Sequence, residues 1–204
     1  MSNRIAAVLS IALTMPTIAF TAAPASAAVP PVEKLEQALL APAQAPSGFV
    51  FHSRMVMASS VVPETVPEPC KTTAAPKFVD SLGGSVTVSF QKGGRDGTVI
   101  TEAINAIGAK LAADQLKRHQ AVLDSCPTVT KGVTYSRWQA PQVGVPTVGF
   151  LVTIEQPEEP TEKVITVVVS HGDVLATFTA DAADSAALTS AVTAGVTRLK
   201  QTVG

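Results

Sequence analysis

Residues 164–178, VITVVVSHGDVLATF, set two apolar and largely β-branched runs on either side of a single glycine. Runs of this kind around a turn signal pair as an antiparallel hairpin. With His171 and Gly172 as the turn, Val169 faces Val174, Val167 faces Ala176 and Ile165 faces Phe178. With Gly172 and Asp173 as the turn, each pairing moves by two and the same faces are kept. Either register puts glycine where a two-residue turn needs positive φ. His171 and Asp173 are therefore read as turn residues, with no catalytic or metal role.

The rest of the chain supplies partners for that hairpin. Val32, Leu35 and Leu39 fall at helical spacing and Pro42 ends the run. Residues 49–57 alternate Phe49, Phe51, Met55 and Met57 against Val50, His52, Arg54 and Val56, which predicts a strand with one wet face. Residues 58–77 hold four prolines and no period, a long loop for which Cys70 offers a tether. Val86, Val88 and Phe90 alternate with Ser85, Thr87 and Ser89, and the glycine-rich stretch 91–97 turns the chain into a partner strand, 98–105. The period then changes: Ala112, Leu116, His119 and Leu123 form one helical stripe that ends at Pro127. A less regular strand through 133–139 and a clear one over 147–154 lead into the hairpin. A closing helix carries Leu188, Val192, Gly195 and Leu199 on one face, with Asp181 or Asp184 as N-cap. The order predicts an α+β fold: a single meandering, mostly antiparallel sheet of about six or seven strands with three helices packed on it.

The N-terminus has the layout of a secretory signal peptide over residues 1–27: Arg4, an apolar run from Ile5 to Phe20, and Ala25-Ser26-Ala27 as the cleavage signal. The run is broken by Ser10, Thr14 and Pro16 and falls short of the roughly 20 residues that span a bilayer. No cysteine stands at the cleavage point to take a lipid. The expectation is an extracytoplasmic or secreted protein of the cell envelope, with residues 28–204 as one domain. Export favours oxidation of Cys70 and Cys126, the two cysteines of the chain, to one disulfide. Closing a loop of that length removes denatured-state entropy worth about 4 kcal/mol in the chain-entropy model.

Several chemistries lack their residues. Fifteen basic and sixteen acidic side chains leave no net field to attract nucleic acid. His52, His119 and His171 fall in unlike contexts, on a strand, a helical stripe and a hairpin tip, and no ligand pair stands at metal spacing. No Gly-x-Ser-x-Gly elbow is present, and the glycine-rich stretches lie at strand ends without phosphate-loop spacing. Glu155, Glu158, Glu159 and Glu162 read as a solvated acidic tip. No cofactor is expected. Trp138 and Tyr135 are single examples of their kinds, Trp138 is expected in the core, and so few aromatics argue against a surface for stacking bases or sugars.

Taken together, LLAPAQAPSGF before the first strand, the proline-rich stretch with Cys70, AVLDSCP at the end of the second helix, and VITVVVSHGDVLATFTAD before the last helix resemble exported sensor-type domains of actinobacteria. They are similar to the extracellular domain of PknH-like serine/threonine kinases, in a stand-alone secreted form. The resemblance spans most of residues 33–200 and carries over Cys70 and Cys126 alone. It departs in having two cysteines where that domain has two disulfides, and in lacking an attached kinase. It implies an antiparallel α+β fold with a ligand cleft. The functional expectation is a non-catalytic binder of a small molecule, lipid or envelope component, with His119 and Trp138 as candidate ligand contacts. The alternatives are an interaction module for another exported protein, through the proline-rich segment, and a hydrolase with dispersed residues.

Overall fold

The computed structural model describes residues 29–58, 61–63, 78–80, 83–94, 97–125, 128–130 and 132–203. Residues 1–27, read from the sequence as a signal peptide, most of the proline-rich stretch and both Cys70 and Cys126 lie outside them.

Helix α1 (Val32–Ala38) is followed by strands β1 (Val50–Met57), β2 (Val61–Pro63), β3 (Phe78–Asp80), β4 (Ser85–Lys92) and β5 (Thr98–Ala106). Helix α2 (Ala109–Ser125) leads to β6 (Thr128–Thr130), β7 (Val133–Arg137), β8 (Thr147–Ile154), β9 (Glu162–His171) and β10 (Val174–Asp181), and helix α3 (Ser185–Val203) closes the chain. Eight strands form one open sheet in the order β1-β4-β5-β10-β9-β8-β7-β6, antiparallel at every rung, while β2 and β3 pair separately. The α+β class and the three helices are as the sequence predicts. The single antiparallel sheet is also as expected, about seven strands with the three-residue β6 added at its edge.

The order has a simple consequence. After β5 the chain crosses one face as α2, starts again at the far edge with β6, and meanders back until β10 lies beside β5. Helix α2 therefore covers the β7–β10 half of that face, meeting Val148, Phe150 and Val168 through Leu116 and Leu123. Helices α1 and α3 cover the opposite face. There Phe90, Ile100, Ile104, Ile165 and Phe178 of the sheet are buried against Leu35, Leu188, Val192 and Leu199. Alternation in the strands and the helical stripes thus point at the same two layers. Hydroxyl side chains on α3, among them Thr189, Thr193 and Thr197, bond the carbonyl four residues back, so their polar atoms are satisfied within the helix.

One local feature resolves an open alternative and another departs from the expected pattern. The hairpin turns at Gly172 (φ +55°) and Asp173, so Ala176 faces Val169, Phe178 faces Val167 and Ala180 faces Ile165. The second of the two registers is the one adopted. In β1 a bulge between Phe51 and Ser53 reverses the faces: Phe51 lies opposite Phe90, but Met55 lies opposite Thr87. Phe51 and Met55 therefore do not share a side, and the single wet face is replaced by a strand exposed along its length. Arg54, directed to the helix side by the bulge, pairs with Glu36 of α1 at 3.0 Å.

Candidate functional site

Asp173 answers the question the hairpin raises. Its carboxylate accepts from the Ala109 N–H at 2.8 Å, and its backbone carbonyl accepts from the N–H groups of Ile107 and Gly108, each at 3.0 Å. These amides open α2, so a hairpin tip 64 residues away caps the helix, a contact worth about 1 kcal/mol. Asp173 is a structural residue. His171 ends β9 and takes part in the ladder opposite Val174.

A concave surface lies where β7 ends. Beyond Trp138 the next eight residues, QAPQVGVP, contain Pro141 and Pro146, which cannot donate to a ladder, and Gly144 at φ +72°. The segment leaves the sheet after one last rung, the Trp138 N–H donating to the Gly149 carbonyl at 3.1 Å. It returns at Pro146, whose carbonyl accepts from the Ser170 N–H at 3.0 Å. Between this segment and α2 lies an open groove of about 500 Å³. Trp138, Val143 and Val145 line it from the segment, Val148 and Gly149 from β8, and Gln120 from α2. A second lobe of about 390 Å³ continues along α2 past Lys117 and Asp124, sharing Gln120, Thr147 and Val148.

Gly149 sets the shape of the wall. A Cβ there would fall 2.6 Å from the Trp138 carbonyl oxygen and 3.0 Å from Trp138 Cε3, so only glycine lets the segment lie flat on β8. At the junction of sheet and helix, Arg137 forms an ion pair with Asp124. With its amide oxygen turned toward the guanidinium, Gln120 also accepts from Arg137 Nη1 at 2.8 Å. The one arginine of the groove is thus held by a carboxylate and an amide from α2.

The two proposed contact residues separate. Trp138 is half-buried, packs on the α3 side of the core and lines the groove. His119 stacks on Phe150 with ring centroids 5.3 Å apart and an interplanar angle of 20°, beneath α2. Its surroundings hold the imidazole below its ordinary pKa of 6.5, first because burial disfavours the cation and then because Arg118 adds like charge. His119 does not line the groove. His52 lies on β1 and His171 on β9, so the three imidazoles sit on different elements. Among the described residues no three His, Cys, Asp or Glu side chains are grouped to hold a metal ion, and no helix is long and apolar enough to cross a membrane.

Two features escape a reading of the sequence. One is the 138–146 connection itself, longer than most hairpin loops and punctuated by two prolines and a glycine, which is the available signal. The other is Glu102. It alternates with Ile100 and Ile104 on β5 and is 1% exposed, with Oε2 accepting from the Leu40 N–H at 2.7 Å and Oε1 without a hydrogen-bond partner. Its place in the Ile100, Ile104 series is the signal that could have found it.

No protein-family model matches the chain, and no curated protein matches it. A solved structure of an uncharacterised protein from Mycobacterium smegmatis, the Rv0999 ortholog, is similar to it over 84% of this chain and 100% of that one, with 13% sequence identity and a TM-score of 0.44.

Proposed function

We propose that this is an exported protein of the cell envelope that binds a small molecule or envelope component, without turning it over, in the groove between α2 and residues 138–147. The groove carries the reading: it has the volume of a small-molecule site, and the sole tryptophan stands in its wall beside polar groups from three segments. The leader pattern at residues 1–27 supports export, and export supports a bond between Cys70 and Cys126. The segment order shared with PknH-like sensor domains supports a role in recognition rather than catalysis.

A thermal-shift screen across envelope lipids and glycans tests it. A ligand at about 100 times its Kd adds about 2.7 kcal/mol, which raises the midpoint of a chain this size by about 5–10 °C. A midpoint unmoved across the panel argues against a ligand site.

One observation favours a second reading, an interaction module. Edge strand β1 exposes Val50 (68%), Met55 (53%) and Met57 on one face and Phe51 and Val56 on the other. An apolar strand that has a ladder partner on one side alone among the described residues is a surface onto which another chain can add a strand.

A further inference from the structure

We infer that the ligand of the groove is a neutral, hydroxyl-rich molecule, of which an oligosaccharide is the natural class. The inference rests on the groove being a binding site, as proposed above, and concerns what the site would accept. Three glutamine side chains, Gln120, Gln139 and Gln142, line the inner lobe. The amides of Gln139 and Gln142 offer donors and an acceptor together, Gln120, whose oxygen accepts from Arg137, adds its NH₂ donors, and the Thr147 hydroxyl, which donates to the Val145 carbonyl at 2.9 Å, adds an acceptor. A sugar hydroxyl has the same dual character, whereas a carboxylate or phosphate calls for donors alone and an ammonium for acceptors alone.

The charges point the same way. Arg137 is occupied by Asp124 and Gln120, so an anion entering the inner lobe meets a guanidinium that already has its counter-charge. Lys117 lies in the outer lobe. An acyl chain fits less well: it has no hydrogen-bonding groups to meet the amides and hydroxyl that line the inner lobe. The apolar part of the wall, Trp138 with Val143, Val145 and Val148, suits the C–H faces of a sugar ring. The scarcity of aromatics, which in the sequence argues against sugar stacking, matters less in a groove whose polar lining is amide.

Trp138 is the only tryptophan, so its emission reads the groove directly. Purified protein is titrated with neutral tetrasaccharides of glucose, mannose and N-acetylglucosamine, and separately with decanoate and inorganic phosphate. The expected result is a saturable change with at least one tetrasaccharide, none with decanoate or phosphate, and binding weakened about tenfold or more in the Gln139→Ala/Gln142→Ala variant. Circular dichroism checks that the variant is folded, since both positions are exposed. Saturable binding of decanoate or phosphate with silence from the sugars overturns the ligand class and leaves the groove reading intact. Sugar binding undiminished in the folded double variant overturns the role of the amides. Silence from every probe removes both the class and the groove.

Discussion

Replacing Glu102 by Gln is expected to stabilise this protein by about 3 kcal/mol at pH 7, raising the unfolding midpoint by about 6–12 °C. Glu102 is buried between β4 and β10, and its carboxyl is pushed from an ordinary 4.5 up to about 8. Burial is the main cause; the Leu40 N–H and the charge of Arg198 pull weakly the other way. The unfolded chain loses this proton near pH 4.5, while the folded chain keeps it until about pH 8. Stability should therefore fall as pH rises from 4.5 to 8 and level off beyond. Each pH unit between 4.5 and 7 adds about 1.4 kcal/mol to the cost of keeping the proton in the fold. Gln reproduces the neutral group: its oxygen can accept from Leu40 while its NH₂ takes the place of Oε1. Denaturant midpoints of the two proteins from pH 5 to 9 provide the check. The variant should lack the slope that this group causes, and equal slopes would mean that the carboxyl is already ionised in the fold.

The second large effect lies on the other side of the same carboxyl. Gly195 of α3 leaves room for both Glu102 and Phe178: a Cβ there would fall 2.6 Å from Phe178 Cε1 and 2.8 Å from Glu102 Oε1. Neither neighbour can move away, because Phe178 is fully buried and Glu102 nearly so. Gly195→Val is expected to cost about 3 kcal/mol through overpacking. Gly195→Ala should cost less, since the better helix propensity of alanine returns about 1 kcal/mol. Urea unfolding of both variants measures this. A Gly195→Ala protein more stable than the parent, as at an exposed helix position, would show that α3 does not press on β10 at this point.

These two residues also mark how far the sequence could be read. Alternation and helical stripes were enough for α1, α2, α3 and the main strands, because burying one face of each element is the dominant energy. Gly195 was recognised on the buried stripe of α3, but not that it faces a carboxyl. Glu102 was legible in principle, as the odd member of the Ile100, Ile104 series. The bulge in β1 was not, since one extra residue reverses every later side chain without changing composition. The hairpin register was undecidable because both turns keep the same faces. In the fold the adopted register comes with the bond from Asp173 to Ala109, made across 64 residues.

The groove shows the same limit. Trp138 was singled out, yet its place in a wall depends on Gly149 and on Gln120 of α2, brought together only by the path of the chain across the sheet. His119 shared a stripe with Leu116 and Leu123 and packs as they do, which its position on the helix already implied.

The central claim is that recognition takes place at the groove and not at edge strand β1. The most direct test is amide and indole NMR of labelled protein titrated with the ligand that gives the largest thermal shift. The account predicts that the single indole N–H resonance, from Trp138, moves together with the side-chain amides of Gln120, Gln139 and Gln142, while residues 50–57 stay in place. Movement confined to β1, with the Trp138 indole unchanged, would contradict it.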